Sequence, residues 1–141
     1  MFKKIIKKEN KKNNYDENIL ITALLIHAAK IDDKYTNVEK EIIKKAVISL
    51  SAITPNEAEE LLKKAEEKEQ ESNQIVAFTR EIKKNSMKFR LKIIEILWKI
   101  VYSDGANDNY ESNLIRRICG LLYVSDRDSG IIKLKVENLL K

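Results

Sequence analysis

The apolar residues of this chain recur at helical spacing from residue 17 onward, and no alternating strand pattern competes with them. Residues 19–26 read ILITALLI, which is apolar nearly all round, as expected of a helix at the centre of a bundle. Apart from Arg90, residues 87–102 are apolar except for one narrow polar stripe, formed by Lys88, Lys92, Glu95 and Lys99. These two segments predict the central helices of the fold.

Polar residues that cap helices mark the other helix starts, because their side-chain oxygens can accept hydrogen bonds from free backbone N–H groups. Thr36 with Glu39, Thr54 with Glu57, and Asp108 with Glu111 have the spacing of capping boxes, and Ser86 and Ser125 precede two more helical patterns. The chain has only three glycines and one proline, so few positions favour turns. We therefore predict an all-α fold of about seven helices, at 17–30, 36–50, 54–71, 73–84, 87–102, 108–122 and from 125 onward.

The apolar stripes of these helices predict which side chains form the core. The last helix is expected to use Ile131, Ile132, Leu134, Val136 and Leu139 as its apolar face. Trp98 and the tyrosines fall on helical core spacing, so we interpret them as packing residues. The charged run from Glu66 to Glu71 could form a partner surface, but a solvated helix face is the favoured interpretation.

The net charge of +5 comes from the amino-terminal end of the chain. Residues 1–13 hold six lysines and one glutamate, and the remaining residues carry equal numbers of acids and bases. The body of the protein is therefore neutral, and we predict no nucleic-acid partner. Residues 1–16 are predicted to be a basic, flexible segment, and 17–141 one helical domain. Phe2, Ile5 and Ile6 share a helical face, so weak contact with an anionic membrane is the alternative for this segment.

Few residue types that support catalysis are present. Cys119 and His27 are each the only residue of their type, which argues against zinc sites and nucleophile–base triads. Their places in helical stripes suggest a core thiol and a packed or edge histidine. We therefore predict no enzymatic activity. No run of about 18 apolar residues and no signal peptide is evident, so we expect a cytoplasmic protein.

Two parts of the chain match at an offset of 72 residues, 24–50 with 96–122. Each part joins the end of a central helix to a capped helix through an acidic loop, which predicts an internal two-fold repeat. The loops contain Asp32 and Glu39 in the first half, and Asp104, Asp108 and Glu111 in the second. Carboxylate oxygens suit hard cations such as Ca²⁺ and Mg²⁺. The same acids also suit helix capping, so both roles stay open.

The stretch from Leu97 to Gly105, LWKIVYSDG, resembles a segment of the TerB-like family, relatives of the tellurite-resistance protein B. The following DNYE, LIRRI and VSDRD segments resemble it as well. The resemblance implies an all-helical fold with an internal repeat. It also implies that five acids are family positions suspected of binding a divalent cation: Asp104, Asp108, Glu111, Asp32 and Glu39. The first half departs from the pattern, since it has no glycine after Asp32-Asp33 and has Thr36 in place of an acid.

The leading functional hypothesis is a non-enzymatic TerB-like accessory or stress-response module, which binds a divalent cation through the acidic loops or binds an unidentified protein partner. The alternative is a peripheral membrane-associated adaptor, held at anionic lipid by the lysine-rich residues 1–16. The family name does not by itself assign tellurite to this chain.

Overall fold

The computed structural model describes the backbone of residues 2–32, 35–71, 75–103 and 109–139, and the side chains within 16–31, 35–71, 75–103 and 112–139. Seven α-helices and one 3₁₀ turn at Lys30–Asp32 account for most of this backbone. The helices are α1 Phe2–Ala29, α2 Asn37–Ser51, α3 Pro55–Glu71, α4 Ile75–Ile82, α5 Met87–Tyr102, α6 Asn109–Leu121 and α7 Asp126–Leu139. The described residues contain no strand, and the predicted all-α fold is confirmed.

Helix α1 is longer than the sequence pattern predicted. The first helix was expected to begin at Glu17, where the apolar spacing starts, but the helical backbone begins at Phe2. No glycine or proline lies between these two positions, so nothing in the backbone chemistry ends the helix there. The other six helices agree with their predicted segments to within two residues at each end.

The core lies around α1 and α5, the two helices that were predicted to be central. Helix α1 packs against α2, α3, α4 and α5, and α5 also packs against α6 and α7. Every residue from Ile21 to Ile26 is buried, as are Leu97 and Trp98 in α5. Since both helices are buried on most sides, the remaining helices form a shell around them. The predicted duplication of two halves stays a prediction.

The capping interpretation of the helix starts is confirmed wherever the side chains are described. Thr36 and Glu39 form a reciprocal capping box at α2, and Thr54 and Glu57 exchange the same bonds at α3. Ser86 accepts a hydrogen bond from the backbone N–H of Phe89 at the start of α5. Local side-chain chemistry therefore sets these helix boundaries.

The predicted apolar face of α7 is largely wrong. Only Val136 is buried and Ile132 is partly buried, whereas Ile131, Leu134 and Leu139 are 57%, 60% and 66% exposed. Helix α7 packs mainly against α5, so a single neighbouring helix covers only a narrow stripe of it. The prediction that the tyrosines are packed is also wrong for Tyr123, which is 70% exposed where the chain leaves α6 with a positive φ of 56°.

The described part of the chain contains no helix that is both long and apolar enough to cross a membrane.

Candidate functional site

The second acidic loop connects two helices that are anchored in the core. Helix α5 ends at Tyr102 and α6 begins at Asn109, and the two helices pack against each other. Asp104 and Asp108 lie outside the described residues. Glu111 is described only as backbone, in the first turn of α6. The sequence prediction for these three acids therefore stays a prediction.

The first acidic loop has a described acid at its carboxyl end. Oε1 of Glu39 accepts hydrogen bonds from the backbone N–H and the hydroxyl of Thr36, both at 2.9 Å. The hydroxyl in turn accepts from the backbone N–H of Glu39 at 3.1 Å. Glu39 is only 1% exposed. This carboxylate therefore acts as a buried helix cap, which is one of the two roles that the sequence left open.

The described start of the first acidic loop contacts the helix that follows the second one. The 3₁₀ turn Lys30–Asp32, which opens the first loop, packs against α6. Helix α6 carries Glu111 in its first turn. The side chain of Asp32 lies outside the described residues, but its backbone belongs to the turn that contacts α6. The first loop thus approaches the helix that follows the second loop.

A buried carboxylate joins the end of α1 to α3. Glu69 is 7% exposed, and its Oε2 accepts a hydrogen bond from Nζ of Lys30 at 2.9 Å. Its Oε1 lies 3.3 Å from Nδ1 of His27. The single histidine of the chain therefore has a carboxylate partner that links it to α3, a contact that the sequence analysis did not predict. Glu69 fixes the place where α1 passes into the 3₁₀ turn.

Tyr35 holds the other end of the first loop against α3. Its hydroxyl donates to Oε1 of Glu66 at 3.2 Å, and Nζ of Lys40 lies 4.7 Å from the ring centroid. Burial, followed by the nearby charge of Glu66, raises the pKa of Tyr35 above its ordinary value. The tyrosine therefore stays a neutral hydrogen-bond donor at physiological pH.

Two acids of the run from Glu66 to Glu71, Glu66 and Glu69, thus face the protein, whereas its other residues are exposed, as predicted for a solvated face. A signal for Glu69 was present in the sequence. It continues the buried stripe of Leu62 and Ala65 at helical spacing, so it takes the next inward position on α3. No comparable signal pointed to Tyr35, because its contact with Glu66 depends on how α1 and α3 pack.

The cysteine agrees with its prediction as a core thiol. Cys119 is 1% exposed, and burial raises the pKa of its thiol. A protonated, enclosed thiol is a poor nucleophile. Among the described side chains, no three or more His, Cys, Asp or Glu residues are grouped closely enough to hold a metal ion.

A membrane contact was predicted for residues 1–16. The side chains of residues 1–15, which would make this contact, lie outside the described residues. It stays a prediction, as does the domain boundary at residue 17.

Comparison with known families supports the resemblance found in the sequence. The model of the family described as tellurite resistance protein TerB matches residues 18–134. None of the curated proteins and none of the solved structures compared with this chain matches it. The family match covers most of the 141 residues, including both acidic loops and every helix at least in part. The chain therefore belongs to the tellurite resistance protein TerB family.

Proposed function

We propose that this protein is a non-enzymatic accessory module that binds one divalent cation at its acidic loops. The observation that carries the proposal is the contact between the Lys30–Asp32 turn and α6. This contact brings the backbone of the first loop to the helix that carries Glu111. Acids that are far apart in the sequence could therefore serve a single ion.

The donor set suits a hard cation. Asp104, Asp108, Glu111 and Asp32 all offer carboxylate oxygens, which Ca²⁺ and Mg²⁺ prefer as ligands. We propose these four as the residues that would hold the ion. We give no ligand role to Glu39, because its Oε1 already accepts two hydrogen bonds from Thr36 in the capping box.

Ion binding at this place would act on the fold. The loop between α5 and α6 joins two core helices, and the 3₁₀ turn follows the central helix α1. A cation that neutralises clustered carboxylates would reduce their repulsion and stabilise the native state over the unfolded chain. The bound ion would thereby set how firmly the two loops are held, and a stress-linked change in ion level would alter the surface that they form.

Calorimetric titration with Ca²⁺, Mg²⁺ and Mn²⁺ tests the proposal. We expect saturable binding by the wild-type protein and its loss in the variant Asp104→Asn/Glu111→Gln. The matched control is Glu60→Gln/Glu67→Gln, which removes the same charge from exposed positions on α3 and should bind normally. Absence of binding in the wild type, or equal loss in the control, would contradict the proposal.

The proposal that the module is non-enzymatic rests on its two most reactive residue types. The Cys119 thiol is buried, and among the described side chains His27 contacts the carboxylate of Glu69 and not a serine, threonine or cysteine that it could activate as a nucleophile. Steady turnover of a simple phosphate or carboxylic ester by the ion-loaded protein, abolished by Asp104→Asn, would contradict it.

A further inference from the structure

A groove runs between α2 and α5, and its described lining residues include none of the acids proposed as cation ligands. Its volume is about 350 Å³, and four of its lining residues are apolar: Ile42, Ala46, Leu50 and Ile96. Ile42, Ala46 and Leu50 are only partly covered by the protein and pack against the core, whereas Ile96 is itself a buried core residue. A concave, largely apolar site of this size is typical of a binding site for a ligand or a peptide.

The rim of the groove is positively charged on both sides. Lys45 comes from α2, and Lys92 and Lys99 come from α5. All three are exposed, and within the described part of the chain none of them forms an ion pair. The one acid that lines the groove, Glu95, pairs with Nζ of Lys135 at 2.9 Å. The groove therefore presents three cations above an apolar floor.

The spacing of the cations indicates an occupant with several negative charges. Lys92 and Lys99 are two helical turns apart, or about 10 Å along the axis of α5, and Lys45 lies on the opposite helix. A fatty acid has one carboxylate and could neutralise only one end of this rim. A helix with acids on either side of an apolar stripe could pair with all three lysines while its apolar side chains cover the floor.

We propose that the groove between α2 and α5 binds an acidic amphipathic helix of a partner protein. This inference is independent of the cation site, because it uses different residues. It gives a chemical description to the protein partner that the sequence analysis left unidentified.

The chain's own segments do not match the groove. Residues 1–13 carry a net charge of +5, so the rim lysines would repel them. Helix α3 has many acids, but none of the exposed large apolar side chains belongs to its described residues. Helix α7 exposes Ile131 and Leu134, but its three acids are balanced by three basic residues, so it has no net negative charge to pair with the rim. A separate acidic partner is thus a better fit than a second copy.

The test uses a designed, fluorescein-labelled helical peptide of 14 residues, with leucines at i, i+3, i+7 and glutamates on both flanks. Its counterpart has lysine at every glutamate position. We expect the acidic peptide to bind the full-length protein saturably in fluorescence anisotropy, and to shift the amide NMR signals of residues 42–50 and 92–99 selectively. The lysine peptide should not bind.

Charge reversal assigns the binding to the rim. Lys92→Glu/Lys99→Glu should weaken binding of the acidic peptide at least tenfold, whereas Lys63→Glu/Lys68→Glu, the same change at exposed positions of α3, should leave it within twofold. Circular dichroism of both variants confirms that each is folded. Equal affinity for the two variants, or no binding of the acidic peptide by wild type, would overturn the proposal.

Two further arms distinguish other occupants. If myristate binds the groove and the acidic peptide does not, the groove is a fatty-acid site and the proposal is wrong. If the protein alone sediments as a dimer that Lys92→Glu/Lys99→Glu dissociates, a second copy fills the groove and the proposal is again wrong.

Discussion

Two capping boxes in this chain differ mainly in burial, and this difference predicts how much each contributes to stability. In each box a threonine hydroxyl accepts from the backbone N–H of a glutamate, and the carboxylate accepts from the threonine N–H and hydroxyl. The distances are 2.9–3.1 Å for Thr36 and Glu39 and 3.0–3.3 Å for Thr54 and Glu57. Glu39 is 1% exposed, whereas Glu57 is exposed.

The expected cost of replacing each glutamate by alanine follows from this geometry. Glu57→Ala removes an exposed cap, and water can hydrogen-bond to the released Thr54 groups, so the loss is about 1 kcal/mol or less. Glu39→Ala removes a cap of the same form and also leaves a gap where a buried side chain was, so we expect about 2–3 kcal/mol. For a chain of this size, Glu39→Ala should therefore lower the melting temperature by several degrees more than Glu57→Ala does.

Urea unfolding followed by circular dichroism at 222 nm measures both variants against the wild type. The result that supports the reasoning is a shift of the unfolding midpoint at least twice as large for Glu39→Ala as for Glu57→Ala, with similar slopes. Equal shifts would mean that the burial of Glu39 adds nothing to its cap. Glu39→Gln, which keeps an acceptor oxygen in the box, should recover part of the loss.

Two further predictions concern the backbone and the pH dependence. Ala52 has a φ of 52° at the end of α2, where glycine is favoured, whereas Gly120 lies within α6 and a Cβ there would meet nothing within 4 Å. Ala52→Gly and Gly120→Ala should therefore each raise the free energy of unfolding by about 0.5–1 kcal/mol, measured by urea unfolding. A loss of stability in either variant would contradict this reasoning about the backbone. Because burial and Glu66 raise the pKa of Tyr35, unfolded chains release the phenol proton above about pH 10 while folded chains retain it, so stability falls as the pH rises. The fall in stability from this one group is at most about 1.4 kcal/mol per pH unit. The actual fall should be smaller, because Tyr35 is partly solvated. In urea unfolding, the free energy of unfolding of Tyr35→Phe should fall less between pH 9 and pH 11 than that of the wild type. An identical fall would refute the role of Tyr35 in this pH dependence.

Most of the fold was predictable because local chemistry determines it. The box of Thr36 and Glu39 and the cap at Ser86 begin their helices where the sequence placed them. The continuous apolar runs of α1 and α5 identified the two buried helices. The start of α1 and the exposed face of α7 were not predictable in the same way. An apolar stripe does not reveal how many neighbouring helices cover it, and a polar segment without a breaker can still be helical.

The candidate site was predictable only as a list of acids. The sequence placed Asp32, Asp104, Asp108 and Glu111 near helix starts. It did not predict that the turn at Lys30–Asp32 packs against α6, because that contact depends on the packing of α1. The same is true of Glu69, whose bonds to His27 and Lys30 join helices that are distant in the sequence. Long-range pairs of polar groups have no periodic signature, and only the inward position of Glu69 on α3 was visible beforehand.

The most direct test of the cation site is Mn²⁺ titration followed by amide NMR, because the paramagnetic ion broadens signals close to where it binds. If the two acidic loops share one ion, substoichiometric Mn²⁺ should broaden the signals of residues 30–32 and 109–111 together, and excess Mg²⁺ should restore them. Broadening that is confined to exposed acids such as Glu60 and Glu67 on α3, with residues 30–32 and 109–111 unaffected, would contradict the account.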